Sequence, residues 1–232
     1  MDQALLWGVV TAAPLLVGAL LALVRPWPAK LLGLVLGFGA GALMASIAFE
    51  LVEEGLLVAG PLALVAGVVL GALAYYIGDR VVRARSRSGA AGAPLAVGAL
   101  LDGIPEQLVL GIGLASGEGV GVALAIAIVV SNLPESIGSA SDLLAGGVRR
   151  AKVLGLWALV AVLCALATVA GFALADAVAP PLRAASMGFA AGALLVMLVD
   201  SMVPEAREKG GEATGLCTVL GFALAAGLAI VV

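Results

Sequence analysis

Two apolar stretches near the middle of the chain each contain a proline followed directly by a glutamate. The stretches align at a separation of 29 residues, which matches Glu106 with Glu135 and Asp102 with Ser131. A spacing of four places Asp102 and Glu106 on one face of a helix. Ser131 and Glu135 share a face for the same reason. The two stretches read Leu101-Asp102-Gly103-Ile104-Pro105-Glu106-Gln107 and Val130-Ser131-Asn132-Leu133-Pro134-Glu135-Ser136.

The residue types at this spacing could surround a cation with oxygen atoms. Each proline lacks the N–H that would bond the carbonyl four residues earlier, so the carbonyls of Leu101 and Val130 are freed. Three neighbouring carboxylates cannot all stay ionised without a counter-charge, and no Lys or Arg lies at comparable depth in these stretches. We therefore expect a bound cation or shared protons here. Taken singly, each proline is equally consistent with an ordinary kink, and each glutamate with a protonated, hydrogen-bonded side chain. The predicted metal ligands are Asp102, Glu106, Ser131, Asn132 and Glu135.

The composition around these stretches is that of a membrane protein. Of 232 residues, 63% are hydrophobic and only 12% are charged, and the mean hydropathy is +1.21. Such a chain has too little polar surface for a water-soluble globule, which excludes a soluble enzyme. Histidine is absent, which excludes mechanisms that need imidazole, including those of intramembrane serine and zinc proteases. We expect no enzymatic activity and no nucleic-acid partner.

Eight stretches reach the roughly 20 apolar residues that a bilayer crossing requires. Continuous apolar runs without alternation favour helices over a barrel, so the sequence predicts an all-α membrane protein with eight transmembrane helices in one domain, residues 1–232. The stretches are approximately 4–24, 31–52, 57–78, 94–115, 119–143, 153–176, 184–204 and 213–232.

The basic residues predict the orientation. With the N-terminus outside, eleven of the twelve Lys and Arg residues fall in inner loops and only Arg183 falls outside. Both termini are therefore expected on the extracytoplasmic side, in a prokaryotic-type plasma (inner) membrane. The segment at about 80–93, rich in Arg, Ser, Gly and Ala, is predicted to be a flexible cytoplasmic loop.

A sequence repeat relates the second and seventh spans. Gly37-Phe-Gly-Ala-Gly-Ala-Leu43 recurs 151 residues later as Gly188-Phe-Ala-Ala-Gly-Ala-Leu194. The two spans cross in opposite directions in the predicted topology, an arrangement typical of secondary transporters with a midplane site. Chance similarity between Gly/Ala-rich helices is the alternative. The glycine faces would permit helix sliding or form the contacts of a homodimer.

Further polar residues indicate a pathway to the predicted site. Acidic residues at a pore mouth concentrate cations, although solvation at the membrane surface explains Glu205 equally well. The predicted pathway residues are Glu50, Gln107, Ser139, Asp142, Asp200 and Glu205.

These motifs resemble those of the ZIP family of metal transporters. Asp102-Gly-Ile-Pro-Glu106 and Ser131-Asn-Leu-Pro-Glu135 are similar to the family's His-Asn-x-Pro-Glu-Gly and His-Glu/Asp-x-Pro-Glu-Gly signatures. The Gly-Ala-Gly-Ala-Leu-Met run of the second span and Val203-Pro-Glu-Ala206 are also similar. The resemblance implies inverted three-helix repeats, helices 1–3 and 6–8, around a central pair, helices 4 and 5. It also implies transport of divalent metals such as zinc, iron or manganese toward the cytoplasm, with the metal ion as substrate and no resident cofactor.

The chain departs from the family pattern within the site. The family histidines correspond to Asp102 and Ser131, the fifth-helix acid to Asn132, and the glycines after each Pro-Glu to Gln107 and Ser136. Oxygen ligands suit harder ions than imidazole does, so we expect a preference shifted from zinc toward manganese. Transport of protons or another polar solute, and a non-transporting sensor or structural role, remain alternatives.

Overall fold

The structure, a computed structural model, describes residues 2–85, 93–116 and 120–231. Within these helices some side chains lie outside the description, including those of Asp102 and Pro105. In the described ranges the chain is helical throughout apart from short connections, and none of it forms a strand. The prediction of an all-α fold is therefore confirmed for the described residues.

Eight helical segments follow one another along the described chain. Glycines with positive φ form the turns after the second, fifth and seventh segments, at Gly60 (φ 75°), Gly147 (81°) and Gly211 (72°), a conformation that costs glycine little. The segments are α1 (Asp2–Val24), α2 (Ala29–Ser46, Ile47–Glu53 and Glu54–Ala59), α3 (Pro61–Arg85), α4 (Ala93–Ser116), α5 (Val120–Ala145), α6 (Arg150–Leu174), α7 (Pro180–Met197, Leu198–Met202 and Val203–Gly210) and α8 (Thr214–Val231).

The helices have the length and apolarity of membrane spans. Six apolar stretches among the described residues are long enough to cross a bilayer, and the last, Pro180–Leu228, contains α7 and most of α8. This gives about seven long apolar helices. Large apolar side chains cover the outside of the bundle, for example Leu62 and Leu216, which are 85% and 72% exposed. An apolar outer surface of this extent is consistent with an integral membrane protein in contact with lipid.

The loop expected at about 80–93 begins later than predicted, because α3 continues to Arg85. The Arg80 guanidinium lies 4.4 Å from the centroid of the Tyr76 ring, one turn earlier in the helix. This cation–π contact between residues four apart stabilises the helix beyond its apolar part. Residues 86–92 lie outside the described part of the chain.

The central position in the bundle belongs to α5. It packs against α1, α2 and α4, and 71% of its apolar stretch is buried, compared with 22% for α3. Its neighbour α4 packs closely on α6, where Gly111 faces the Thr168 carbonyl and Gly171 faces the Leu108 carbonyl. The two motif-bearing helices therefore pack together inside the bundle.

Close contacts of α2 and α7 occur at the repeated glycines. Gly41 of α2 lies against the backbone carbonyl of Thr218 in α8, and Gly192 of α7 lies against that of Val68 in α3. A side chain at either glycine would overlap the facing carbonyl. Gly41 and Gly192 are 151 residues apart. These glycines are thus occupied by contacts within the chain rather than presented to a second copy.

The reciprocal contacts repeat as well. Gly221 of α8 faces the carbonyl of Phe38, and Gly71 of α3 faces the carbonyl of Phe189. Phe38 and Phe189 are again 151 residues apart. The α2–α8 and α7–α3 helix pairs therefore use corresponding residues in corresponding contacts.

Both α2 and α7 contain a π-helical segment, and the two segments begin at corresponding positions of the repeat. The segment of α2 is Ile47–Glu53 and that of α7 is Leu198–Met202, so their first residues are also 151 positions apart. π-helical turns are rare and often occur at functional sites. The first segment carries Glu50 and the second carries Asp200.

Candidate cation site

The described residues of the predicted metal site all lie in the bundle interior. Glu106 is 2% exposed and Glu135 4%, while Ser131 and Asn132 are 1% and 7% exposed. All four belong to α4 or α5, the two helices with the Pro-Glu motifs. The side chain of Asp102, the fifth predicted ligand, lies outside the description.

The sequence of α5 explains why one of its faces is polar and buried. Ser131, Glu135 and Ser139 recur every four residues, so they lie along one side of the helix, and all three are buried. The helix continues through Pro134, whose ring packs against Gly39 of α2. The absence of a side chain at Gly39 lets α2 approach α5 at this level. The polar stripe that Ser131, Glu135 and Ser139 form along α5 is therefore enclosed by neighbouring helices.

Gln107 connects three helices through hydrogen bonds. Its Oε1 atom accepts from Thr168 Oγ1 of α6 at 2.5 Å and lies 2.9 Å from Thr11 Oγ1 of α1. All three side chains are fully buried. Thr11 Oγ1 also lies 2.7 Å from the carbonyl of Trp7, one turn earlier in α1. Gln107 thus joins α4 to both α1 and α6 at a residue adjacent to Glu106.

Helix α1 also closes one side of α5. Asn132 Nδ2 donates to the Thr11 carbonyl at 3.0 Å, and Ser136 Oγ lies 3.1 Å from the Pro14 carbonyl. Because Thr11 contacts both Asn132 and Gln107, residues of the two Pro-Glu motifs meet at one residue of α1. Asn132 is one of the predicted metal ligands. Because this bond uses its Nδ2 atom, it does not involve the side-chain oxygen, the atom that would bind a cation.

The remaining predicted residues lie at different depths. Ser131 Oγ bonds within its own helix, to the Ile128 carbonyl at 3.1 Å. Glu50 is buried in the π-helical segment of α2, and Ser139 is fully buried. Asp200 is exposed on the outside of α7. The structure therefore encloses Glu50 and Ser139 but does not bring Asp200 into the polar interior.

A lysine joins the predicted pathway residues at the end of the bundle expected to be cytoplasmic. Lys209 Nζ lies 2.7 Å from Asp142 Oδ1 and 2.8 Å from Glu205 Oε1. The three side chains are between 16% and 24% exposed. Asp142 belongs to α5, and Lys209 and Glu205 belong to α7. This ion-pair triad therefore connects α5 to α7, close to the end of the polar stripe of α5.

Three residues of this arrangement were missed from the sequence. Thr11 and Thr168 are isolated hydroxyls in apolar spans, and no local pattern assigns them to Gln107. Lys209 was detectable in part, because it follows Glu205 by four residues, the spacing of a helical ion pair. Its bond to Asp142 depends on tertiary packing.

The described side chains of the predicted site offer a metal only oxygen atoms, from two carboxylates, a hydroxyl and an amide. Such ligands suit hard divalent cations. Among the described residues, no group of three or more Asp, Glu or Cys side chains is close enough to hold a metal. The predicted third carboxylate, Asp102, is not among them. The described part of the site thus supplies two buried carboxylates and neutral oxygen atoms.

Comparison with known protein families gives no match, and no curated protein matches the chain significantly.

Proposed function

We propose that the chain carries divalent metal cations across a membrane toward the cytoplasm, as a ZIP-like transporter. The observation that carries this proposal is the burial of Glu106 and Glu135 at corresponding positions of two packed interior helices. Ionisable groups inside a membrane bundle are costly and mark ion pathways. A divalent cation between the two helices would offset the cost of both carboxylates.

The ligands would divide their roles by charge. Glu106 and Glu135, with Asp102, would neutralise the cation, while Ser131 and the amide oxygen of Asn132 would complete an oxygen shell. Without imidazole or thiolate ligands, the site would favour manganese or another hard ion over zinc.

The proposed architecture is eight spans, with inverted repeats α1–α3 and α6–α8 around the central pair α4 and α5. The reciprocal glycine contacts and the matched π-helical segments support it. The antiparallel course of α2 and α7 also supports it, since Gly33 faces Gly210 while Gly39 faces Met202. In the orientation expected from the basic residues, both termini lie outside the plasma membrane.

Transport would proceed by alternating access, in which the repeats rock against the central pair. The pathway from the site toward the cytoplasm would follow Ser139 and Asp142 along α5. The ion-pair triad of Lys209, Asp142 and Glu205 lies at the end of this pathway. It would hold the cytoplasmic end closed until the ammonium leaves the two carboxylates.

Isothermal titration of the purified chain with Mn²⁺ and Zn²⁺ tests the site. The Glu106→Gln/Glu135→Gln variant keeps the shape of both side chains but removes their charge, so we expect Mn²⁺ affinity to fall at least about tenfold, the effect of losing roughly 1.4 kcal/mol. Ser186→Ala is the control, because that hydroxyl is exposed and bonds only to its own helix. Unchanged binding in the double variant would contradict the site, and zinc binding tenfold tighter than manganese would contradict the preference.

A second candidate is transport of protons or another polar solute through the same bundle. The buried bonds of Gln107 with Thr11 and Thr168 favour the uncharged polar solute, because neutral amide and hydroxyl groups suit such a substrate better than a cation. Measurement of proton flux beside metal uptake separates the two candidates.

A further inference from the structure

A cavity of about 630 Å³ opens at the end of the bundle where α1 and α5 end and α2 and α6 begin. Four basic residues from two connecting turns and two helices line this cavity, which we call the basic cavity: Arg25, Arg149, Arg150 and Lys209. Asp142 is the one acidic residue among its described lining residues. The volume exceeds that of a single ion and is sufficient for a small organic group.

Carboxylates of the described residues balance only part of the positive charge of the basic cavity. Lys209 is paired with Asp142 and Glu205, whereas in the described part of the chain no carboxylate pairs with Arg25, Arg149 or Arg150. Three guanidinium groups around one volume repel one another and raise the local positive potential. Such a field attracts an anion.

The start of α6 adds to this field instead of reducing it. Arg149 is the N-cap residue of α6 and makes no side-chain capping bond, and Arg150 is the first helical residue. Helix N-termini carry a partial positive charge and normally favour Ser, Thr, Asp or Asn at this place. Two arginines here oppose the helix dipole, a local cost that an anion bound between them would offset.

The walls of the basic cavity combine hydrogen-bond donors with apolar surface. The Arg25 guanidinium lies 4.8 Å from the centroid of the Trp27 ring, and Trp27 Nε1 donates to the Leu21 carbonyl at 3.1 Å. Ser141 Oγ is buried in the described structure without a hydrogen-bond partner, and Ser141 lines the cavity. Apolar residues complete the walls: Ala22, Leu23, Val24, Leu32, Leu144 and Val148.

We propose that the basic cavity is a binding site for a phosphate-bearing anion, held by the guanidinium groups of Arg25, Arg149 and Arg150. Guanidinium groups bind phosphate oxygens through paired hydrogen bonds. A phosphate group, which has more oxygen atoms than a carboxylate, can therefore bind several arginines at once. The phosphate could belong to an anionic lipid headgroup or to a soluble phosphate compound. Basic pockets between membrane helices are known to bind anionic lipid headgroups. The proposal does not depend on cation transport by the chain.

The test compares two double variants with equal loss of charge. Arg149→Gln/Arg150→Gln removes two cavity residues, while Lys30→Gln/Lys152→Gln removes two exposed basic residues that do not line the cavity. The full-length chain in neutral detergent is titrated with phosphatidylglycerol and phosphatidylcholine, with retention measured by native mass spectrometry, and separately with inorganic phosphate by calorimetry. Gel filtration and circular dichroism check folding, and Arg25→Gln serves as a second, single-site variant.

We expect phosphatidylglycerol, inorganic phosphate or both to bind in preference to phosphatidylcholine, whose phosphate is neutralised by its own choline group. The ligand that binds should bind about tenfold more weakly to the arginine double variant than to the lysine double variant. Retention of phosphatidylglycerol without phosphate binding would assign the site to a lipid headgroup. Phosphate binding that competes with the lipid would assign it to soluble phosphates as well. Equal losses in the two double variants would overturn the proposal, because they would show general attraction to a basic surface. Absence of any preference over phosphatidylcholine would also overturn it.

Discussion

Gln107 is the residue at which hydrogen bonds join α1, α4 and α6. In the Gln107→Met variant, which conserves size, we expect the free energy of unfolding to fall by about 1 kcal/mol, because interhelical bonds in membrane proteins are modest. Thr11 and Thr168 keep contacts with carbonyls of their own helices, which limits the loss. Denaturant titration in micelles, with Ser186→Ala as the matched control, measures it.

A double-mutant cycle attributes the effect to the bond itself. Combining Gln107→Met with Thr168→Val should give a coupling energy of about 0.6 kcal/mol. Additive effects of the two substitutions would show that Gln107 stabilises the bundle by packing alone.

Lys209 is the residue that connects the end of α5 to α7. In Lys209→Met we expect faster reaction of a cysteine placed at Ser139 with a water-soluble maleimide, in a background without Cys164 and Cys217. Partly exposed ion pairs contribute about 0.2–1 kcal/mol each, so loss of both should raise the rate by roughly two- to thirtyfold. Arg207→Met is the control, because Arg207 bonds the Gly211 carbonyl in its own turn. An unchanged rate of maleimide reaction at position 139 would show that Lys209 does not close the cytoplasmic end of the pathway.

At the residue scale, spacing carried the information in the sequence. The repeated Pro-Glu motifs identified Glu106 and Glu135, and both are buried in helices that pack together. Thr11 could not be predicted, because one hydroxyl in a long apolar span gives no indication of its partner. Asp200 shows the opposite limit, since acidity at membrane depth does not determine which side of a helix faces the interior.

At the scale of elements, the glycines set the distance between the repeated helices and their partners. Gly41→Val and Gly192→Val should each lower the free energy of unfolding by about 1–3 kcal/mol, because the new side chain meets a backbone carbonyl that cannot move freely. The two losses should be similar, since the contacts correspond. Gly155→Val and Gly227→Val are the controls, because nothing lies near either glycine. A loss at only one of Gly41 and Gly192 would contradict the correspondence of the two contacts.

The π-helical segments of α2 and α7 are elements that the sequence did not predict. The periodicity of apolar residues indicates where a helix lies. It is too coarse to show that a turn contains the one extra residue that makes it π-helical. The repeat was recognised over Gly37–Leu43 and Gly188–Leu194, just before the two segments, and similarity of residues does not specify how the following backbone is wound. The extension of α7 to Gly210 was also missed, because its last turns are polar and end beyond the apolar stretch.

At the scale of the whole molecule, hydropathy was the most informative property. The predicted spans agree with the helices within a few residues at most ends: the first, 4–24, corresponds to Asp2–Val24, and the fourth, 94–115, to Ala93–Ser116. Helix packing depended instead on tertiary contacts, such as glycine against carbonyl, that no single span reveals. The number of spans, their orientation and the inverted repeat therefore stay predictions.

The measurement that tests the central claim most directly is uptake of Mn²⁺ into proteoliposomes that also contain a pH-sensitive dye. We expect uptake by the parent chain that the Glu106→Gln/Glu135→Gln variant lowers by at least about tenfold, because both charged ligands are lost. The Ser186→Ala control should transport like the parent chain. Equal uptake by the parent chain and the double variant, or proton flux without any dependence on metal, would contradict divalent-cation transport through the site between α4 and α5.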